Sequence, residues 1–136
     1  MLNVIIGEKG SGKTAKLIEA VHTAEKEATG NVVFINKGKR HVFDLSHKVR
    51  LVDTEEYGIE TFKEFYGFLC GILSQNYDIA HIFIDSITKI VDDSIDEFEK
   101  FLDRINAVAE ENNAHIEIIL SMNPDAASAG IKKYVG

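Results

Sequence analysis

Residues 7–14 read Gly-Glu-Lys-Gly-Ser-Gly-Lys-Thr and constrain the fold more than any other stretch of the chain. This octapeptide matches the pattern G-x-x-x-x-G-K-[ST] at every fixed position. An apolar run over residues 2–6 precedes it and predicts a buried strand. Apolar residues at helical spacing follow it and predict a helix from Lys13 to about Ala28. The octapeptide therefore lies between a strand and a helix, the context that this pattern requires.

The residue types of the octapeptide suit a phosphate-binding turn. Glycine accepts backbone angles that other residues resist, and its lack of a Cβ lets backbone N–H groups point into a common hollow. Such a hollow at the positive end of a helix binds di- and triphosphates. We expect Lys13 to reach the β- and γ-phosphates and the Thr14 hydroxyl to bind Mg²⁺. The residues predicted to bind the phosphates are Gly7, Glu8, Lys9, Gly10, Ser11, Gly12, Lys13 and Thr14.

A second apolar run, residues 79–84, ends in Asp85. At the carboxyl end of a parallel strand a carboxylate can reach Mg²⁺, either directly or through a water. The two stretches together resemble the Walker A and Walker B motifs of the P-loop NTPase superfamily. This resemblance implies that ATP and Mg²⁺ are the cofactors, with Thr14 and Asp85 as the metal ligands.

The order of predicted elements resembles the RecA-like (ASCE-type) branch of that superfamily, without indicating a family within it. The fold class is therefore expected to be α/β, a three-layer α/β/α sandwich with a mostly parallel sheet of five to six strands. Gly30 stands where a residue that ends the first helix belongs. We expect core strands to start near residues 2, 31, 80, 115 and 131, with a small edge strand near 49.

Polar residues end the predicted strand at 115–123. In the RecA-like branch this strand lies between the phosphate-loop strand and the Asp strand, and a polar residue at its end often senses the γ-phosphate. Ser121 and Asn123 hold that place, and with Lys13 they are the candidate catalytic residues. An ordinary strand end followed by a turn explains Ser121 and Asn123 equally well.

Composition narrows the class of protein. A length of 136 residues predicts one domain, residues 1–136, and a net charge of −7 argues against tight non-specific nucleic-acid binding. A single cysteine excludes an internal disulfide and a cysteine-based zinc site. No apolar stretch approaches 18 residues and no leader peptide is recognisable, which predicts a cytoplasmic protein without a membrane partner.

Residues 37–41 form the densest basic stretch, and they follow the second predicted strand. This position suits a phosphate contact, although a solvated turn is the favoured interpretation. The segment Asn36-Lys37-Gly38-Lys39 also differs from the guanine-recognition motif Asn-Lys-x-Asp at its last position. Because Lys39 can only donate hydrogen bonds, it cannot take the role of that Asp, and ATP is favoured over GTP.

The resemblance has one departure that concerns catalysis. P-loop ATPases similar to this chain carry a water-orienting Glu after the strand-end Asp or at the end of the second strand. Here those places hold Ser86 and Asn36-Lys37, neither of which supplies a base. Hydrolysis is therefore expected to be slow.

The function predicted from these features is that of an ATP–Mg²⁺ binding P-loop protein, a slow or partner-activated ATPase. A homo-oligomer or a protein partner would complete its site, for example with an arginine supplied in trans. One alternative is a small-molecule (nucleoside-type) kinase, since the loop is also similar to that of thymidine kinases, although Ser86 and the single Cys70 depart from them. The other alternative is a nucleotide-gated interaction module without hydrolysis.

Overall fold

The computed structural model describes residues 1–27, 30–39 and 44–136. Five strands are present in these ranges: β1 (Leu2–Gly7), β2 (Asn31–Asn36), β3 (Arg50–Asp53), β4 (Ile79–Ile84) and β5 (His115–Ser121). The helices are α1 (Lys13–Glu27), α2 (Phe62–Gln75), α3 (Ile87–Ile90), α4 (Ile95–Glu111) and α5 (Ala129–Lys132). Two 3₁₀ turns, Thr54–Tyr57 and Pro124–Ala126, follow β3 and β5.

The five strands form one sheet in the order β1-β5-β4-β2-β3, and every paired strand is parallel to its neighbour. Strand β5 therefore lies between the phosphate-loop strand and the strand that leads to Asp85, as the resemblance implied. The small strand β3 lies at the edge, also as predicted. Because all strands run the same way, their carboxyl ends share one edge of the sheet, where open α/β folds bind ligands.

Side-chain alternation divides the core between the two faces of the sheet. On one face, Leu17 and Val21 of α1 pack against Phe34 of β2 and Phe83 of β4. The other face is covered by α2 and α4, whose buried residues pack with the strands in the larger of the two core clusters. Strand β2, which lies between the central strand β4 and the edge strand β3, is buried from Val32 to Asn36, as expected of a parallel strand covered on both faces. The predicted three-layer α/β/α sandwich is confirmed.

The predicted last strand near residue 131 is wrong. Ser128 opens one helical turn, in which the N–H of Lys132 donates to the Ser128 carbonyl at 2.9 Å. Ile131 of this turn is buried in the core, and the Tyr134 hydroxyl donates to Asp103 of α4 at 2.6 Å. The segment meets the sheet through an isolated parallel bridge between Val135 and Val4, where the Val4 N–H donates to the Tyr134 carbonyl at 2.8 Å. These contacts with α4 hold the segment in a turn, so five strands and one bridge replace the six predicted strands.

Gly30 has a role different from the predicted one. Its φ does not lie in the left-handed region that a helix-ending glycine commonly adopts. Instead, a Cβ at this position would overlap the backbone carbonyl of Asp78, which accepts from the Asn31 N–H at 2.7 Å. The glycine is therefore needed for the close approach of two chain segments where β2 begins.

Among the described residues, no helix has the length and apolar character needed to cross a membrane.

Candidate functional site

The turn after β1 shows why glycines are required at two of its positions. Gly10 and Gly12 have φ angles of +87° and +84°, in the left-handed region that residues with a Cβ avoid. A Cβ at either position would meet no heavy atom within 4 Å, so the requirement is conformational and not steric. The chain then enters α1, where the Lys16 N–H donates to the Gly12 carbonyl at 3.2 Å. The predicted glycine-rich turn thus leads directly into a helix N-terminus.

Lys13, the first residue of α1, is folded back over the turn. Only 7% of it is exposed, and its Nζ donates to the Glu8 carbonyl at 2.7 Å and to the Ser11 Oγ at 3.4 Å. The ammonium group therefore closes the turn on itself. Phosphate oxygens are stronger acceptors than a carbonyl, so a phosphate group in the turn can compete for the same ammonium group.

Thr14 and Asp85 come together although 71 residues separate them in the sequence. The Thr14 Oγ1 donates to the Asp85 Oδ1 at 3.4 Å. Asp85 is fully buried, and its N–H continues the sheet by donating to the Ile35 carbonyl at 2.9 Å. The structure thus brings the two predicted metal ligands to one point, at the junction of β4 and the start of α1.

The chemistry of this pair fits Mg²⁺. The ion prefers oxygen ligands in octahedral geometry at about 2.0–2.1 Å, so two ligands on adjacent vertices lie about 3 Å apart. The observed separation of 3.4 Å between the two oxygens is close to that value. A shift of a few tenths of an ångström would allow direct ligation by both groups, and a bridging water needs no shift at all.

A tight turn follows Asp85. Ser86 has a φ of +55°, unusual for a residue with a side chain, and its Oγ donates to the Asp85 Oδ1 at 3.1 Å. Backbone strain of about 1–3 kcal/mol at such a position persists only where the surroundings fix it, and it concentrates at functional sites. The turn leads into α3, whose Thr88 and Lys89 line the cavity described below. No motif in the sequence singles out these two residues.

A cavity of about 560 Å³ opens at the carboxyl edge of the sheet, between the glycine-rich turn and α3. Pockets for nucleotide-sized ligands commonly have volumes of about 300–1,000 Å³. The lining residues carry hydroxyl and ammonium groups besides backbone and apolar surface, and no carboxylate is among those that the structure describes. They are Lys9, Gly10, Gly12, Lys13, Thr14, Ala15, Ser86, Thr88, Lys89, Ile119 and Ser121.

The two candidate residues at the end of β5 are placed differently. Ser121 is exposed, lines the cavity and pairs in register with Gly7, the last residue before the turn. Asn123 is not among the lining residues, and its Oδ1 accepts from the Asp125 N–H at 2.9 Å. It therefore serves as the N-cap of the 3₁₀ turn, the structural alternative that the sequence left open. Part of the basic stretch at residues 37–41 is described: the Lys39 Nζ lies 3.7 Å from the Glu56 Oε1. Arg40 and His41 lie outside the described residues.

One polar residue at this edge, Asn36, was considered above only as the residue that replaces a water-orienting Glu, and it was not among the predicted site residues. Asn36 ends β2 and is fully buried, and neither its Oδ1 nor its Nδ2 has a hydrogen-bond partner among the described residues. An unpaired buried polar group costs about 1–3 kcal/mol, so it requires an explanation. Strand parity could have identified it, because Asn36 continues the alternation of Val32 and Phe34, which face α1.

The all-parallel sheet with helices on both faces defines an α/β fold with a RecA-like order of strands. No family model matches the sequence, and no curated protein matches it. Among solved structures, the chain is similar to the flagellar accessory protein FlaH from Methanocaldococcus jannaschii, with a TM-score of 0.60 and 15% sequence identity. The match covers 97% of this chain and 65% of the FlaH chain, so the chain spans about two thirds of that protein. At this identity the likeness concerns the fold alone.

Proposed function

We propose that this protein binds ATP with Mg²⁺ and hydrolyses it slowly or only with a partner. The observation that carries the proposal is the Thr14–Asp85 contact at 3.4 Å, which joins the phosphate loop to the end of β4 beside the cavity. A glycine-rich turn, a helix N-terminus and a lysine next to such a contact are the combination that phosphate groups and their metal require.

Each residue has a role in this proposal. The backbone N–H groups of residues 8–12 bind the phosphates, and Lys13 exchanges the Glu8 carbonyl for a phosphate oxygen. Thr14 and Asp85 hold Mg²⁺, which when bound offsets the charge of the β- and γ-phosphates. Ser121, at the end of β5 opposite Gly7, reaches the γ-phosphate.

Slow turnover is expected because the described residues around the cavity offer no general base. A general base must lie within hydrogen-bond reach of the attacking water. The described residues that line the cavity contain no carboxylate, and the buried Asp85 is assigned to the metal. This arrangement favours a protein that holds ATP over one that consumes it rapidly, and it supports the alternative of a nucleotide-gated interaction module.

The experiment that tests the proposal measures ATP affinity as a function of Mg²⁺ for the wild type and for Asp85→Asn. A carboxylate that holds the metal predicts that Mg²⁺ strengthens ATP binding in the wild type and that this gain falls by at least about tenfold in the variant. Asp92→Asn is the matched control, because Asp92 is an exposed carboxylate outside the residues that line the cavity. An equal gain in the wild type and in Asp85→Asn contradicts the assignment.

A phosphate-release assay on the same samples separates the remaining alternatives. Slow release by the wild type supports the ATPase, and no release by a protein that binds ATP supports the interaction module. ATP-dependent phosphorylation of an added nucleoside would support the small-molecule kinase instead.

A further inference from the structure

Asn36 is the polar group at the carboxyl edge of the sheet that the proposed function leaves unused. Its backbone carbonyl accepts from the Thr54 Oγ1 at 3.3 Å, so the main chain of this residue is engaged. Its side-chain amide is fully buried and has no partner among the described residues. An amide has one acceptor oxygen and two N–H donors, and none of this hydrogen-bonding capacity is used by the described residues.

The direction of the side chain follows from the sheet. Val32 and Phe34 of β2 and Phe83 of β4 belong to the cluster on the α1 face. Asn36 and Asp85 continue these alternations, so both side chains lie on the face that carries α1 and the phosphate loop. Ile35 pairs with Ile84, which places Asn36 next to Asp85 on neighbouring strands.

We propose that Asn36 is a positioning residue that recognises the γ-phosphate of bound ATP through a water held between the amide and that phosphate. This contact would let the protein distinguish ATP from ADP. This inference rests on the proposed function. The N–H groups of the amide donate to water or to a phosphate oxygen, while its oxygen accepts a hydrogen bond from the same water. The γ-phosphate of bound ATP and its water thereby supply the hydrogen-bond partners that the amide lacks among the described residues.

The chemistry of an amide also explains why recognition does not bring rapid turnover. An amide orients a water but does not accept its proton, so a water held by Asn36 remains a poor nucleophile. A carboxylate at this position would lie beside the buried Asp85, where two like charges repel each other. An amide keeps the hydrogen-bonding capacity at this place and avoids that repulsion.

The test compares the affinities for a non-hydrolysable ATP analogue and for ADP, both with Mg²⁺, in the wild type and in Asn36→Leu. Leucine has a similar size and no hydrogen-bonding group. We expect the affinity for the analogue to fall by about tenfold, the effect of about one hydrogen bond to a charged group. The affinity for ADP should stay within about twofold, since the turn and Lys13 bind the phosphates that ADP retains.

Thr54→Val is the matched control, because it removes the hydroxyl that contacts the Asn36 carbonyl and leaves the amide in place. It should leave the ratio of the two affinities unchanged. Thermal unfolding of the nucleotide-free protein adds a readout besides binding: Asn36→Leu should match or exceed the wild-type Tm, because it removes an unpaired buried amide.

Three results would overturn the inference. Unchanged affinities for both nucleotides in Asn36→Leu remove the role in recognition, and an equal loss for both nucleotides indicates a structural role. If Asn36→Leu does not fold, Asn36→Ala is measured in its place, with the same expected ratio. A folded wild type that binds neither nucleotide overturns the proposed function and this inference with it, whereas an unchanged ratio overturns the inference alone.

Discussion

Replacing Lys13 by Ala should change both the stability of the free protein and its response to ATP. In the structure the Lys13 Nζ closes the phosphate loop through its 2.7 Å bond to the Glu8 carbonyl. Hydrogen bonds of charged groups contribute about 1.5–3 kcal/mol, but the Glu8 carbonyl lies in an exposed turn that water can reach. We therefore expect Lys13→Ala to lower the free energy of unfolding by about 1–2 kcal/mol.

This loss can be converted to a change in melting temperature. The entropy of unfolding is about 2.1 cal/mol/K per residue, so for 136 residues 1 kcal/mol corresponds to about 3.5 °C. Lys13→Ala should then unfold about 3–7 °C below the wild type. For the wild type, ATP–Mg²⁺ at 100 times its Kd adds about 2.7 kcal/mol, which is a rise of about 9 °C. The variant should show almost none of that rise.

The assay is thermal unfolding followed by circular dichroism, with and without ATP–Mg²⁺. Lys16→Ala is the matched control, because Lys16 is an exposed lysine of the same helix turn that does not line the cavity. It should stay within about 0.5 kcal/mol of the wild type. An unchanged Tm in Lys13→Ala refutes the loop-closing contact, and a full ATP-dependent rise in that variant refutes the phosphate-binding role.

Two further predictions concern the fold that holds the site. Gly30→Ala should lower the free energy of unfolding by about 2–4 kcal/mol in denaturant melts, because the new Cβ would overlap the Asp78 carbonyl. Gly67→Ala is the control: its Cβ would meet no atom within 4 Å in α2, and it should raise the free energy of unfolding by about 0.5–1 kcal/mol. Equal effects of the two substitutions would refute the steric argument. Tyr134→Phe should cost about 1 kcal/mol at neutral pH by removing the bond to Asp103. The hydrogen bonds from Tyr134 and Lys133 hold the pKa of Asp103 below its ordinary value of 3.8. The ionised carboxylate therefore contributes its full stabilisation of the folded protein above pH 3.8, and this contribution is lost as the pH falls below that value. The difference between Tyr134→Phe and wild type should therefore shrink in acid, and a difference that grows would contradict this account.

The parts of the site that could be predicted from the sequence are those with a local motif in a position set by the parallel sheet. The turn at residues 7–14 and the strand before Asp85 both have one-dimensional signatures, and the convergence of Thr14 with Asp85 follows from parallel strands sharing a carboxyl edge. Lys89 and Thr88 have no such signature. They reach the cavity because of the left-handed turn at Ser86, which the residue types there do not indicate.

Helix capping is another feature that the sequence spacing alone does not decide. Ser94 and Glu97 have the sequence spacing of a capping box, but only half of the box forms: the Ser94 Oγ accepts from the Glu97 N–H at 3.2 Å, while the Ser94 N–H donates to the Asp93 carboxylate. The complete box is at Thr61 and Glu64, where α2 begins. Both segments have the spacing, and which carboxylate reaches the cap depends on the conformation of the chain just before the helix.

The predicted strand near residue 131 is wrong because a short run such as Ile131-Lys132-Lys133-Tyr134-Val135 also fits a single helical turn. The tertiary contacts decide between the two. Ile131 enters the core, and Lys133 and Tyr134 both reach Asp103 of α4. A sequence pattern of this length contains no information on that helix.

Isothermal titration of the wild type with ATP, a non-hydrolysable analogue and GTP, each with and without Mg²⁺, tests the central claim most directly. We predict one ATP per chain, tighter binding with Mg²⁺, and equal or weaker binding of GTP. A correctly folded protein that binds none of the three, with or without the metal, would contradict the assignment of residues 7–14 and Asp85 as a nucleotide site.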